Sequence, residues 1–90
     1  MVTELTKDSA LILWESPKRG GADILHYNIQ VYGLKFYRVF ISQGNKTYIR
    51  LKNLNHEKQY YVTITAVSSA GEGPLSAERK FKTLKGNVTV

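Results

Sequence analysis

Alternation of apolar and polar residues at every second position is the dominant pattern of this chain. In residues 60–67, YYVTITAV, the side chains of Tyr60, Val62, Ile64 and Ala66 fall on one side of an extended chain. A period of two predicts a half-buried β-strand, and the β-branched and aromatic residues of this run favour strands. The pattern recurs in ALILW (10–14), YNIQV (27–31) and TYIRL (47–51), and less regularly in FYRVFIS (36–42).

Turn-forming residues separate these runs about every ten residues, which is the spacing of short strands in a β-sandwich. No segment of ten or more residues shows a helical period, and 90 residues suffice for one domain with one core. The sequence therefore predicts an all-β fold, a seven-stranded antiparallel sandwich. We expect the domain to occupy residues 1–84 and residues 85–90 to form a C-terminal linker or tail.

Residue types that carry chemistry are sparse. The chain has no cysteine, which excludes a disulfide framework, a thiolate metal site and a cysteine nucleophile. His26 and His56 lack a nucleophile and an orienting acid at a recognisable spacing, and the two aspartates, Asp8 and Asp23, lie in different predicted turns. We therefore predict no enzymatic activity, no metal site and no cofactor.

The charge of the chain indicates which partners its surface attracts. The formal net charge is +6 and the pI is about 9.7, which favours phosphates, sulfated glycans or anionic lipid headgroups. Apolar runs are only a few residues long, so we expect no direct membrane insertion. The first residues lack the basic and apolar regions of a signal peptide. Nucleic acid is not an expected partner, because no recognition helix is predicted and the aromatic residues alternate toward the core.

Three segments resemble consecutive parts of a fibronectin type III domain. ALILWESP (10–17) is similar to the second strand of that family, GGADILHYNIQV (20–31) to the third, and LNHEKQYYVTITAVSSAGEGPLS (54–76) to the sixth strand and the loop after it. Leu54 precedes Tyr60 by six residues, as the family's leucine precedes its tyrosine. Residues 56–58 depart from the Pro-Gly-Thr that the family often has there.

The resemblance implies an immunoglobulin-like sandwich of fibronectin type III topology. It implies that Trp14 is the central core aromatic and that Tyr60 is a corner tyrosine whose hydroxyl returns to the backbone near Leu54. Residues 68–76 would connect the sixth and seventh strands. Residues 70–72 read Ala-Gly-Glu there, which does not match the Arg-Gly-Asp integrin motif of one member of the family. The predicted core residues are Trp14, Tyr27, Ile29, Leu54, Tyr60, Val62 and Ile64.

Candidate binding residues fall into three groups. The first two are the outer faces of the two sheets, with Tyr32, Tyr61 and Thr63 on one face and Leu11, Leu13 and Tyr48 on the other. The third is a basic group that suits heparan sulfate, or alternatively a charged edge that resists aggregation. Its members are Lys18, Arg19, Arg79, Lys80 and Lys82, with Lys85 nearby. Asn45 and Asn87 begin N-glycosylation sequons.

These features together predict a non-catalytic protein-interaction and spacer module from the extracellular region of a cell-surface receptor or adhesion protein. Its partners would be neighbouring domains of the parent chain and a protein ligand or co-receptor. One alternative is a module of an intracellular, titin-like muscle scaffold, because residues 2–27 also resemble domains of giant sarcomeric proteins. The other alternative is a heparan-sulfate-binding module that uses the basic edge.

Overall fold

The structure, a computed structural model, describes residues 1–16, 23–44, 46–76 and 78–86. The described residues form eight β-strands and no helix. In chain order the strands are β1 (Val2–Thr3), β2 (Ala10–Leu13), β3 (Ile24–Gly33), β4 (Phe36–Gln43), β5 (Tyr48–Leu51), β6 (Gln59–Ser68), β7 (Gly71–Leu75) and β8 (Arg79–Lys82).

Two antiparallel sheets make up the fold. One has three strands in the order β1-β2-β5. The other has five, in which β3 lies between β4 and β6, and both β7 and β8 pair with the far side of β6. The predicted all-β antiparallel sandwich is therefore confirmed. Among the described residues no helix has the length and apolar character that crossing a membrane requires.

The core lies between the sheets and follows the alternation of the sequence. Tyr27 and Ile29 of β3 and Val62 of β6 are buried, as is Leu54 in the segment before β6. Burying a side chain of this size contributes about 1.5–3 kcal/mol to the free energy of unfolding. The rest of the buried apolar set is Ala10, Ile12, Val31, Leu51, Tyr60 and Phe81.

Trp14 is less enclosed than a central core aromatic would be. It is only partly buried, as is Ile64, and both pack against the edge of the core. The Trp14 ring meets Tyr27 edge to face, with ring centroids 5.2 Å apart. An open cleft of about 470 Å³, which is lined by Val2, Trp14, Ile64 and Arg79 among others, runs along this side of the sandwich. The cleft explains why the indole remains partly accessible.

Tyr60 lies in the core at the start of β6. Its hydroxyl oxygen accepts a hydrogen bond of 2.8 Å from the backbone N–H of Asn55. Its ring packs against Phe81 on one side and Phe36 on the other, with centroids 5.6 Å and 5.2 Å away. Only 2% of Tyr60 is exposed. The structure therefore places this side chain at a corner between the core and the backbone after Leu54.

The connection after β6 is shorter than the predicted loop over residues 68–76, and that prediction is wrong. Gly71–Leu75 pairs with β6 as β7, so the turn consists of Ser69 and Ala70. Gly71 has a φ of 113°, a conformation that glycine adopts without strain. The strand also tolerates a proline, which has no N–H, because β7 is an edge strand whose register with β6 shifts between Thr65 and Val67. The seventh strand of the predicted sandwich is therefore present as two strands, β7 and β8.

We expect the Tyr60→Phe substitution to lower the free energy of unfolding by about 1–2 kcal/mol, because the Asn55 N–H loses its acceptor while the ring packing stays. Urea denaturation followed by circular dichroism measures this change. The matched control is Tyr61→Phe on the opposite face of β6, for which we expect a change within about 0.5 kcal/mol. Equal unfolding midpoints for Tyr60→Phe and the unsubstituted chain would contradict the role of the hydroxyl.

Candidate protein-binding face

A row of three tyrosines crosses the outer face of the five-stranded sheet. Tyr32 of β3 lies directly opposite Tyr37 of β4 and Tyr61 of β6 in the two strand registers. Tyr61 in turn lies opposite Lys80 of β8. Directly opposed residues on one face have Cβ atoms about 4.5–5.5 Å apart, so these side chains form a continuous band. We call Tyr37, Tyr32 and Tyr61 the tyrosine row.

Two members of the tyrosine row form a fixed pair. The rings of Tyr32 and Tyr61 stack with centroids 5.7 Å apart and planes inclined by 22°. The Tyr32 hydroxyl donates a hydrogen bond to the Glu78 carboxylate. This bond requires a protonated phenol, so it raises the pKa of Tyr32 above its ordinary value, and burial of the hydroxyl adds to the effect. The pair presents a rigid aromatic surface beside a carboxylate.

The middle of this face is polar and hydrogen-bonded within itself. The Thr63 hydroxyl donates to the Gln30 side-chain oxygen at 3.0 Å, and the Gln30 amide nitrogen donates to the Thr65 hydroxyl at 3.4 Å. Thr63 is only 9% exposed because β6 is an interior strand whose short side chains are covered by longer neighbours. Thr63 is one of the predicted binding residues, but its burial leaves little of its side chain accessible to a partner.

Exposed apolar side chains continue this face along β4. Tyr37, Val39 and Ile41 are 67%, 44% and 54% exposed. Their neighbours Phe36 and Phe40 pack against the core instead. Alternation in FYRVFIS puts these three residues on one side, but they are not among the predicted binding residues. Glu78 was also missed, because no local pattern marks a carboxylate that reaches a residue on another strand.

The outer face of the three-stranded sheet is more closed. Leu13 lies opposite Tyr48, and Leu11 opposite Arg50. Both leucines are partly buried, and the Lys46 ammonium lies 5.2 Å from the centre of the Tyr48 ring. Arg50 also makes an ion pair of 2.6 Å with Glu4. A cation and an ion pair therefore lie beside the apolar side chains of this face.

The predicted basic group is only partly within the described residues. Arg79, Lys80 and Lys82 are exposed on β8, whereas Lys18 and Arg19 lie outside the described residues. Lys80 lies opposite Tyr61 on the outer face, and Arg79 lies opposite the buried Val62. Alternation therefore directs Arg79 away from Lys80 and Lys82 and divides the basic group.

The predicted glycosylation sites Asn45 and Asn87 also lie outside the described residues.

No cluster of three His, Asp or Glu side chains that could hold a metal ion occurs in the described part of the chain.

A sequence model of the family described as "Fibronectin type III domain" matches residues 1–82. The chain belongs to the fibronectin type III family. The resemblance given by its strand motifs is confirmed.

Proteins similar to this fibronectin type III domain include ones much longer than this chain. "Ig-like and fibronectin type-III domain-containing protein 1" of Caenorhabditis elegans is 30% identical over 87 residues, which cover 97% of this chain and 8% of that protein. Among solved structures, the fn3 domain of human contactin 1 has a TM-score of 0.85 at 22% identity, covering 100% of this chain and 77% of that one. A structure of domains from titin has a TM-score of 0.77 at 22% identity, covering 93% and 30%. The two structural likenesses show the shared fold.

We expect Glu78→Gln to lower the pKa of Tyr32 toward the ordinary tyrosine value, because a neutral amide holds the phenol proton less strongly than a carboxylate. Carbon-13 NMR of labelled tyrosine side chains through alkaline titration measures this. The raised pKa also means that the stabilisation from this bond is complete below the pKa of an unfolded tyrosine and is lost as the pH rises through the folded pKa. Glu72→Gln is the control, and an unchanged Tyr32 pKa in Glu78→Gln would contradict the assignment.

Proposed function

We propose that this fibronectin type III domain is a non-catalytic protein-interaction and spacer module, and that the outer face of its five-stranded sheet is the protein-binding face. The observation that carries the proposal is the tyrosine row. Tyrosine gives a large contact area at a small cost in side-chain entropy and is enriched in protein interfaces. Exposed Val39 and Ile41 extend the apolar surface next to that row.

The face is also held in place before any partner binds. Tyr32 is fixed by its stacking on Tyr61 and by its bond to Glu78, and Gln30 is fixed between two threonines. Ordering a side chain on binding costs about 0.5–1.5 kcal/mol, so side chains that are already ordered favour association. The opposite face is a weaker candidate, because Leu11 and Leu13 are partly buried and Lys46 approaches the ring of Tyr48.

We propose further that the module belongs to the extracellular region of a cell-surface receptor or adhesion protein and is flanked by other domains. The sequons at Asn45 and Asn87 support a secretory route. The small share of the nematode relative that the chain spans supports a multi-domain parent. The alternative of a titin-like muscle scaffold rests on the sequence resemblance of residues 2–27.

Heparan sulfate is an alternative ligand for the basic edge. Arg79, Lys80 and Lys82 are all exposed on β8, which supports contact with a sulfated chain. Their division between two faces of the strand favours a charged edge that discourages strand pairing. A protein ligand on the tyrosine row therefore has the stronger support.

A photo-crosslinking residue placed in the parent protein tests the protein-binding face. With p-benzoylphenylalanine in place of Tyr37, we expect adducts with a second polypeptide in the native tissue, because this side chain is exposed at the edge of the face. The matched control has the same residue in place of Tyr48, which is exposed on the other sheet. Adducts at Tyr48 with none at Tyr37 would contradict the choice of face.

Expression of the parent protein in mammalian cells tests the proposed location. We expect a glycosidase-sensitive increase in mass that the Asn45→Gln or Asn87→Gln substitution reduces. Mass spectrometry of the corresponding peptides measures it. An unmodified chain recovered from the cytosol would instead support the muscle scaffold.

A further inference from the structure

Strand β4 is the longest free edge among the described residues. It has eight residues and pairs with β3 through an unbroken register from Gly33–Phe36 to His26–Gln43. The other edges are short or protected, since β1 has two residues, β5 has four, β7 contains a proline and β8 carries lysines. Short strands, prolines and lysines are the features that keep natural edges from pairing with another chain. Strand β4 has none of these, and its one charged residue is Arg38.

The hydrogen-bond pattern shows which backbone groups of β4 are directed away from the sheet. The Gly44 N–H donates to the Leu25 carbonyl at 2.9 Å, in register with the β3–β4 ladder. In an antiparallel ladder every second residue bonds to the neighbouring strand. Counting back from Gly44, the even-numbered residues of β4 bond to β3. Tyr37, Val39 and Ile41 therefore direct their N–H and C=O groups toward the free edge.

The side chains around this edge are apolar on one face and cationic on the other. Tyr37, Val39 and Ile41 present exposed side chains on the outer face. A groove of about 510 Å³ runs between β4 and β5 and is lined by Ile41 and by the cations Lys46, Arg50 and Lys52 among others. Residues 24–56 contain five Lys and Arg residues and no Asp or Glu. The only described ion pair in this region is between Arg50 and Glu4.

We propose that β4 binds an extended segment of a partner protein as an added β-strand, and that this segment alternates apolar and acidic residues. Its apolar side chains would continue the row of Tyr37, Val39 and Ile41. Its acidic side chains, on the other face of the added strand, would face Arg38 and the cationic groove. Main-chain bonds supply affinity in this mode of recognition, and alternate side chains supply specificity. This inference rests on the proposed function and specifies the partner.

Charge complementarity favours an acidic segment over a second copy of this chain. Two copies that paired through β4 would bring together two domains of net charge +6 and duplicate the cations around the groove. Like charges that face each other across a contact oppose association. An acidic segment would instead neutralise Lys46 and Lys52, for which the described residues show no ion pair.

The test titrates the isotope-labelled domain with the blocked peptide EVEVEVE and follows the backbone amides by NMR. We expect shift changes and slowed hydrogen exchange at Tyr37, Val39 and Ile41. We expect binding at least about tenfold weaker for the peptide KVKVKVK, because its charges are reversed, and for EEEEVVV, because its alternation is lost. Changes that map to β8 instead of β4, or equal binding of the three peptides, would overturn the proposal.

Edge variants test the backbone contact. Val39→Pro removes an N–H that β3 does not use, and we expect about a tenfold loss of affinity, the factor that corresponds to roughly one hydrogen bond. Lys80→Pro is the matched control on the far edge of the same sheet and should leave affinity unchanged. Val39→Glu keeps the N–H but places a carboxylate against the apolar side chains of the added strand, and its charge repels the acidic peptide. It should therefore weaken binding even if the proline variant fails to fold. Full affinity in Val39→Glu would overturn the proposal.

Three further outcomes bear on this inference and on the proposed function. Dimerisation of the domain through β4 in sedimentation experiments would overturn the acidic-segment proposal. Crosslinks from position 37 without any binding of the peptide would overturn the added strand and leave the protein-binding face standing. If neither crosslinks nor peptide binding were observed, both the added strand and the protein-binding face would be overturned.

Discussion

The burial of Tyr60 is the constraint on which the rest of the sandwich depends. Its ring lies between Phe36 and Phe81, so one side chain holds the start of β4 and the middle of β8. Gly33 lies opposite it in the register, and a Cβ there would approach the Gln59 carbonyl oxygen to 2.8 Å. A side chain at position 33 would therefore force β3 away from β6. The hydroxyl of Tyr60 then fixes the segment after Leu54 through its bond to Asn55.

The same packing determines what the outer face displays. Side chains alternate between faces, so a slip of one residue in the β3–β6 register would move Tyr60 out of the core and Tyr61 into it. Because the core fixes the register, Tyr32 and Tyr61 must meet on the opposite face, where they stack. The proposed binding face is thus a consequence of core packing. The buried side chains behind it set which residues meet, and the stacking on Tyr61 and the bond to Glu78 then hold Tyr32 in place.

The sequence predicts most of this arrangement where one face of a strand is distinctly more apolar than the other. That holds for β3 and β6, so the fold class and the buried set around Tyr27 and Val62 followed from alternation. It fails for β4, because Phe36 and Phe40 compete with Tyr37, Val39 and Ile41, and both sets are apolar. It also fails for β7, whose glycines and proline are typical of a loop although an edge strand accommodates them. The contact of Glu78 with Tyr32 depends on the path of the chain after β7, which no local pattern encodes.

Positive and negative charges are unevenly distributed along the chain. The seven carboxylates lie at residues 4–23 and 57–78, whereas residues 24–56, which include β4 and β5, carry only cations. A local excess of one charge speeds the approach of an oppositely charged partner and orients it, and this effect weakens as salt rises. The groove beside β4 lies within the cationic part of the chain, next to the edge whose backbone groups have no partner strand among the described residues. Electrostatic attraction would bring an acidic segment to this edge, and the exposed apolar row would then determine its alignment.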